Sequence, residues 1–315
     1  CSGILILRKF IINANDSGQR VDKFLQKAVF KLPKTAMYKF IRTKKIKLNR
    51  KRCEISTRLQ TGDILELYID DSFFEDEKKQ EITFLRADEK KLNIIYEDEN
   101  IIILFKETGL PVHADDRKTE NLLERVQKYL YLKGEYNPET ENSFAPSVCN
   151  RLDRNTCGLV ISAKNSASLR EINRMIKERE IKKIYLCLTN KKPPKDSDII
   201  SAYLKKSTAE NKVSVSATQK DGYKPIITEY KVVGRKGDNY ILEINLVTGR
   251  THQIRASLAF IGCSIVGDTK YNGDNSLKYQ ALCAYKLLFQ PSADSKFSYL
   301  YGKSFEIPAQ YIWFL

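Results

Sequence analysis

The segment of residues 150–163 constrains this chain more than any other stretch of its sequence. It reads Asn-Arg-Leu-Asp-Arg-Asn-Thr-Cys-Gly-Leu and continues into the apolar run Val-Ile-Ser-Ala. Asp153 therefore lies between two arginines, on a Thr-Cys-Gly turn that leads directly into a strand. This setting suits a functional site better than a core, because a buried charge is costly unless it is paired. An exposed ion pair with no further role is the alternative interpretation.

The distribution of apolar residues predicts an α+β fold. Residues 92–96 and 101–105 form apolar runs on either side of Glu97–Asn100, which is the pattern of a β-hairpin. Helical spacing is found in a few segments, among them 121–132 and 166–180. Because most strands are joined by hairpins and only a few by helices, we expect a mixed, largely antiparallel sheet rather than a parallel doubly wound one.

Changes in composition divide the 315 residues into two domains and a linker. Residues 1–70 combine two short helices with a small hairpin, and Asp16 or the serine after it is predicted to cap the first helix. Residues 71–91 are acidic and lack hydrophobic periodicity, which predicts a mobile linker. Residues 92–315 form the large domain, in which the polar stretch 207–225 is predicted to be a mobile insertion able to close over a substrate.

The N-terminal domain concentrates basic side chains at one corner, formed by the end of its second helix and the turn of its hairpin. The residues expected to contact a ligand there are Arg42, Lys45, Arg50, Lys51 and Arg52. The whole chain has a net charge of +15, which favours a polyanionic partner. A solvated basic face without a ligand is the alternative interpretation of this corner.

The cysteine, histidine and apolar content indicates what the chain is not expected to contain. The seven cysteines include no Cys-x-x-Cys pair, and His113 and His252 are the only histidines, so we expect no metal site. His113 is interpreted as a loop histidine. The odd number of cysteines, without a recognisable signal peptide, predicts reduced thiols in a cytoplasmic protein. No apolar run is long enough to span a bilayer, and we expect a monomer that does not associate with membranes.

Two further segments change the interpretation of Asp153. Lys182–Leu186 reads Lys-Lys-Ile-Tyr-Leu, and Thr248–Arg255 reads Thr-Gly-Arg-Thr-His-Gln-Ile-Arg. Together with the Asp153 segment, and in this order, they resemble the signature blocks of the RluA-like family of RNA pseudouridine synthases. The resemblance extends from about Asn93 to the C-terminus and includes Gly267-Asp268. The N-terminal domain resembles the small RNA-binding domain shared by a small-subunit ribosomal protein and many pseudouridine synthases.

The resemblance implies that the protein isomerises a uridine in RNA to its carbon-linked form, without a cofactor or a metal. By matching motif positions, Asp153 is the nucleophile and Tyr185 the active-site aromatic residue, with cross-strand packing as the alternative role for Tyr185. Arg250 is expected to pair with Asp153 and to hold it ionised. Large-subunit (23S) ribosomal RNA is the expected substrate, by analogy with family members that carry the same N-terminal domain.

Three further residues are expected to contact RNA. A uridine in folded RNA must be flipped out of its stack, and Arg151, two residues before Asp153, is placed to fill the gap or hold the flipped strand. His252 and Arg255 are expected on the exposed side of a helix, opposite its apolar side. The N-terminus of that helix is then an expected site for an RNA phosphate.

Three positions differ from the family pattern. The family usually has His in place of Asn150, Ser or Thr in place of Cys157, and His-Pro in place of Cys263-Ser264. These positions flank the matched residues, so they affect the expected choice of RNA more than the expected catalysis. A catalytically silent RNA-binding or ribosome-assembly protein is the alternative function, and retention of all three expected catalytic residues argues against it. A two-carboxylate hydrolase lacks a plausible second carboxylate near a matched turn.

Overall fold

The computed structural model describes residues 5–74, 83–114, 119–207, 212–271 and 273–315, and they form two sheets with separate hydrophobic cores. The N-terminal domain contains β1 (Leu5–Ile11), α1 (Val21–Ala28), α2 (Lys34–Arg42), β2 (Ile46–Leu48), β3 (Lys51–Arg52) and β4 (Ile64–Asp70). Its strands pair antiparallel in the order β1-β4-β2-β3. The helices pack against this sheet through a core that includes Phe24, Met37 and Leu67.

The hairpin between β2 and β3 turns through Asn49 and Arg50. Both residues have positive φ, at 50° and 64°, which is the requirement of a tight hairpin turn matched to the twist of its strands. The Asn49 side chain stabilises the turn by accepting a hydrogen bond of 2.9 Å from the backbone N–H of Ile64. The predicted basic corner lies on the surface, since its side chains are all exposed: Arg42, Lys45, Arg50, Lys51 and Arg52.

The predicted cap of α1 is wrong, because the helix begins after Arg20, whose side chain makes no capping hydrogen bond. Asp16 is instead fully buried. Its carboxylate accepts hydrogen bonds of 2.6 Å from Asn142 Nδ2 and from Ser143 Oγ, both in the large domain. Asp16 therefore fastens the N-terminal domain to the large domain.

The large domain is built on a second sheet with helices packed against it. Its helices are α3 (Leu122–Leu132), α4 (Ser166–Lys177) and α5 (Gln253–Phe260). Its strands are β5 (Asn93–Glu97), β6 (Ile101–Lys106), β7 (Ser147–Val148), β8 (Cys157–Ala163), β9 (Ile181–Thr189), β10 (Ser197–Ser207), β11 (Lys212–Ser216), β12 (Lys224–Lys236), β13 (Asn239–Leu246), β14 (Leu282–Phe289) and β15 (Ser304–Glu306). None of the helices in the described ranges combines the length and the apolar character needed to cross a membrane.

The sheet runs in the order β11-β10-β12-β13-β9-β14-β8-β6-β5, with β15 beside β14 and β7 beside β8. Within the described residues β8 and β14 pair parallel, and every other pair of neighbouring strands is antiparallel. The predicted α+β fold with a mixed, largely antiparallel sheet is confirmed. A parallel doubly wound sheet is excluded.

The parallel pairing of β8 with β14 depends on Gly158. Its φ of 135° is unfavourable for other residues, and a Cβ there would lie 2.5 Å from the backbone N and O of Ala284. Only glycine permits this close approach of the two strands. The turn that carries Asp153 is thereby fixed at the start of a central, fully buried strand.

Part of the predicted linker is folded. Residues 83–91 form two short 3₁₀ helices beside α3, with Phe84 buried in the core of the large domain. Lys128 on α3 donates a hydrogen bond of 2.7 Å to the backbone carbonyl of Ala87. The prediction of a mobile segment is therefore wrong for residues 83–91, while residues 75–82 lie outside the described ranges.

The predicted mobile insertion contains an ordered strand. Residues 212–216 form β11, which pairs with β10 at the edge of the sheet. The backbone N–H of Val213 donates a hydrogen bond of 2.9 Å to the hydroxyl of Tyr271. The prediction of a mobile lid is wrong for this strand, and residues 208–211 lie outside the described ranges.

Candidate active site

A cavity of about 330 Å³ lies where the turn before β8, the strand β9 and the turn before α5 meet. Residues that the sequence assigns to catalysis or RNA contact all line it: Arg151, Asp153, Tyr185, Arg250, His252 and Arg255. The five basic residues of the N-terminal corner are not among its lining residues. The structure therefore brings the three sequence blocks together and leaves the basic corner as a separate surface.

Lys106 holds the Asp153 turn from inside the protein. This side chain is fully buried, and its ammonium group donates hydrogen bonds of 2.8 to 2.9 Å to the backbone carbonyls of Glu107, Leu110 and Arg154. Burial lowers the pKa of Lys106 to about 8. Three carbonyl partners offset the cost of burying the ammonium group and fix the residue that follows Asp153.

Asp153 is paired with Arg255. Arg255 Nη1 donates a hydrogen bond of 2.9 Å to Asp153 Oδ2, and the same guanidinium group makes two hydrogen bonds of 2.7 and 2.8 Å to Asp268. A planar guanidinium group can bridge two carboxylates in this way because its donors have a fixed geometry. The predicted pairing of Arg250 with Asp153 is wrong: Arg250 is exposed, and its backbone N–H donates to Gln253 Oε1.

The second carboxylate oxygen of Asp153 has no partner among the described residues. Within the described residues no hydrogen bond reaches Oδ1, whereas Oδ2 is held by Arg255. The Asp153 side chain is 26% exposed and lines the cavity. A carboxylate held through one oxygen can use the other as a nucleophile or a base toward a molecule in the cavity.

Tyr185 forms the wall of the cavity on β9. Its side chain is 6% exposed, and it pairs across the sheet with Ile244 on β13. Burial, reinforced by the nearby charge of Asp153, raises the pKa of Tyr185, so its hydroxyl stays protonated at neutral pH. Tyr185 thus packs across the strands and also presents an aromatic surface to the cavity.

His252 and Arg255 are not on an exposed helix face, contrary to the sequence prediction. Arg255 is 7% exposed, and His252 precedes α5 with a left-handed φ of 52°. The His252 ring lies 2.8 Å from the Tyr271 hydroxyl through Nδ1 and 3.9 Å from Asp153 Oδ2 through Nε2. Burial lowers the pKa of His252, which favours the neutral ring at neutral pH.

The positions that depart from the family pattern serve the packing around the site. Asn150 donates to the carbonyl of Leu159 at 3.1 Å and accepts from the N–H of Ile161 at 2.8 Å, which ties the Asp153 turn to β8. Cys157 and Cys263 are buried. These departures therefore lie in the frame of the site and leave the cavity open at Asp153.

Sequence reasoning missed three residues of the site. Lys106 directly follows the apolar run 101–105, and this position could have indicated that its side chain is buried. Asp268 belongs to a segment that matches the family, but the sequence predicted no role for it. Lys183 lies in the block that contains Tyr185 and lines the cavity. Among the described residues no cluster of three or more His, Cys, Asp or Glu side chains is arranged to hold a metal ion.

Comparison with known proteins assigns the chain to a family. The family model described as RNA pseudouridylate synthase matches residues 100–260. An uncharacterized RNA pseudouridine synthase of Mycoplasma capricolum is 36% identical over 306 residues, covering 94% of this chain and 96% of the relative. This chain belongs to the RNA pseudouridine synthase family. The predicted membership of the RluA-like family is confirmed, and the protein is an enzyme that isomerises uridine in RNA.

Other pseudouridine synthases match over most of the chain. The ribosomal large subunit pseudouridine synthase C of Buchnera aphidicola, strain APS, is 32% identical over 282 residues, covering 87% of this chain and 83% of the relative. The solved structure of human RNA pseudouridylate synthase domain containing 4 matches with a TM-score of 0.52 at 20% identity, covering 66% of this chain and 87% of the human one. The structural match shows the shared fold.

Proposed function

We propose that this pseudouridine synthase modifies a specific uridine of large-subunit (23S) ribosomal RNA, with Asp153 as its nucleophile. The observation that carries the proposal is the free Oδ1 of Asp153 in a cavity while Oδ2 is held by Arg255. The substrate follows from similarity to relatives named ribosomal large subunit pseudouridine synthase C, which cover most of the chain.

The isomerisation of uridine requires few chemical groups besides the Asp153 carboxylate. The Asp153 carboxylate attacks the ribose or the base, the bond between nitrogen and the ribose breaks, and the base rejoins the ribose through carbon 5. The proton on carbon 5 must then leave, and Tyr185 cannot accept it because its hydroxyl is already protonated. Among the described residues that line the cavity Asp153 is the sole acidic side chain, so we assign it this proton once it is released from the substrate.

The target uridine reaches the cavity by flipping out of its stack, which costs a few kcal/mol. Arg151 is exposed and lines the cavity, two residues before Asp153. We propose that it occupies the gap left by the base or holds the flipped strand. The exposed basic corner of the N-terminal domain supplies further phosphate contacts at a distance from the chemistry.

The experiment that tests this function measures tritium release from carbon-5-labelled 23S RNA transcript, with the wild-type protein and with Asp153→Ala. We expect release by the wild type and none above background by the variant, with similar RNA binding by both. Binding without release by the wild type would instead support a silent RNA-binding or ribosome-assembly protein. Release by Asp153→Ala would remove Asp153 from the mechanism.

A further inference from the structure

Lys183 is a cation inside the cavity for which the described residues provide no partner. It lies two residues before Tyr185 on β9, so both side chains point to the same face of the strand. Lys183 lines the cavity together with Asp153 and Tyr185. In the part of the chain that the structure describes, no carboxylate pairs with it and no hydrogen bond satisfies its ammonium group.

An unpaired cation in such a position is costly. Burial lowers the pKa of Lys183. Lys106 illustrates the contrast, because its ammonium group is more deeply buried but is held by three carbonyls. A lysine that is desolvated without a protein partner is suited to receive an anionic ligand.

The turn before α5 brings a second cation beside Lys183. A Cβ on Gly249 would lie 3.3 Å from Lys183 Nζ, so the absence of a side chain there lets the ammonium group lie against the turn. Arg250 is the next residue, exposed and also lining the cavity. Arg255 is already committed to Asp153 and Asp268, and Arg151 is assigned to the gap left by the flipped base, which leaves Lys183 and Arg250 available for a phosphate.

We propose that Lys183 and Arg250 form a binding site for a backbone phosphate of the RNA strand that carries the target uridine. The proposal rests on the proposed function, because RNA is the anion that must enter this cavity. A compact ammonium group and a neighbouring guanidinium group on one wall match the charge of a phosphate. The site holds the flipped nucleotide in place and takes no part in bond breaking.

The first test uses single-turnover tritium release from carbon-5-labelled 23S transcript, measured over a range of enzyme and salt concentrations. Lys183→Met should raise the half-saturating enzyme concentration about tenfold and reduce the log-log salt slope by about 0.7. The rate at saturating enzyme should stay within about threefold of the wild type, because phosphate contacts position the RNA. Lys183→Arg should restore most of the affinity.

Lys182 provides the matched control, since it is the adjacent lysine on the opposite, exposed face of β9. Lys182→Met should leave both the half-saturating concentration and the saturated rate unchanged. If Lys183→Met fails to fold, Gly249→Ala keeps the lysine and requires its ammonium group to shift by a few tenths of an ångström, so it should weaken binding in the same direction but to a smaller extent. A lower saturated rate in Lys183→Met, with affinity and salt slope unchanged, would overturn the phosphate site.

A second test does not depend on turnover. Uridine 5′-monophosphate and uridine are titrated into the wild type and Lys183→Met by calorimetry. We expect the wild type to bind the monophosphate more tightly than uridine, and Lys183→Met to lose that preference. An unchanged preference in the variant would refute the site. If the wild type releases no tritium from RNA but shows the preference, the proposed function fails while the phosphate site stands.

Discussion

Two carboxylates of this protein, Asp153 and Glu97, are both paired with cations but differ in how many of their oxygens the described residues hold. Glu97 ends β5 and accepts hydrogen bonds through Oε1 from Lys133 and Lys164, at 2.7 and 2.9 Å, and through Oε2 from Tyr129 at 2.7 Å. Asp153 accepts from one arginine through Oδ2, and its Oδ1 has no donor in the described residues. Their side chains are 18% and 26% exposed, so exposure does not separate them.

The comparison shows that pairing with a cation does not by itself mark a functional carboxylate. Both oxygens of Glu97 are used by the protein, so it cannot act on another molecule without unfolding its surroundings. Asp153 has one anchored oxygen, one free oxygen and a cavity of about 330 Å³ beside it. We therefore expect an unsatisfied atom next to open space to identify a site better than the charge pattern does.

The largest predicted difference between Asp153 and Glu97 is the effect of their substitution on turnover. Asp153→Asn should reduce single-turnover tritium release by about 10⁴-fold or more, because the attacking oxygen loses its charge, while RNA affinity stays roughly intact. The matched variant Glu97→Gln should retain the wild-type rate at neutral pH. Measurable turnover by Asp153→Asn would contradict the nucleophile assignment.

The same comparison predicts a stability effect for Glu97. Burial favours its neutral form, but hydrogen bonds from Lys133, Tyr129 and Lys164 outweigh burial and lower the pKa of Glu97 to about 2. Since this pKa lies below the ordinary value of 4.5, the stabilisation is complete above pH 4.5 and is lost as the pH falls toward 2.

Urea unfolding should therefore show Glu97→Gln to be less stable than the wild type by about 1 kcal/mol at pH 7, because solvent screens much of the interaction of this partly exposed group. The difference should shrink steadily when the measurements are repeated between pH 4.5 and pH 2. An equal free energy of unfolding for the two proteins at pH 7 would show that the Glu97 cluster does not stabilise the fold.

The identity of the partner of Asp153 can be tested with two conservative variants. Arg255→Lys should lower the saturated single-turnover rate by about 10²-fold, because an ammonium group cannot reproduce the bridge to Asp153 and Asp268. Arg250→Lys should leave the saturated rate nearly unchanged, since Arg250 does not contact Asp153 in the structure. The opposite pattern would restore Arg250 as the partner.

The smallest predicted effect concerns the N-terminal domain. Changing Arg50, Lys51 and Arg52 together to Ala should reduce the log-log salt slope of RNA binding by about 0.7 to 0.9 for each phosphate that these side chains neutralise in the wild type. The saturated single-turnover rate should hardly change. The contacts of this domain with the large domain include those at Asn142, Ser143 and Ser166, and none of these three residues lines the cavity.

Two results of the triple substitution would contradict the prediction. An unchanged salt slope would show that the basic corner does not contact RNA. A collapse of the single-turnover rate would show that the N-terminal domain helps to build the active site, despite its separation from Asp153.

Local sequence signals were sufficient for much of the fold. The hairpin of β5 and β6 follows from two apolar runs separated by a polar turn, and α3 follows from its helical spacing and from Asn121, whose side chain caps it. The exposed basic corner follows from charge that is contiguous in the sequence. These features depend on neighbours within a few residues, which a sequence displays directly.

Local signals failed where a segment found its partners far away in the chain. Asp16 has the residue type of a helix cap, but Asn142 and Ser143 bury it at the domain junction. Residues 83–91 lack periodicity, yet they are folded because Phe84 reaches the core of the large domain. Long-range contacts overrode the local preference in both places.

The sequence by itself determined the class of fold and the family, and it singled out Asp153 as the proposed nucleophile. Only the tertiary structure decided that Arg255, rather than Arg250, pairs with Asp153. Side chains of a helix lean toward its N-terminus, so Arg255 in the first turn of α5 reaches back to Asp153, whereas Arg250 precedes the helix and stays exposed. Which arginine pairs with Asp153 depends on where α5 begins and how it packs, and the spacing of the two arginines in the sequence predicts neither.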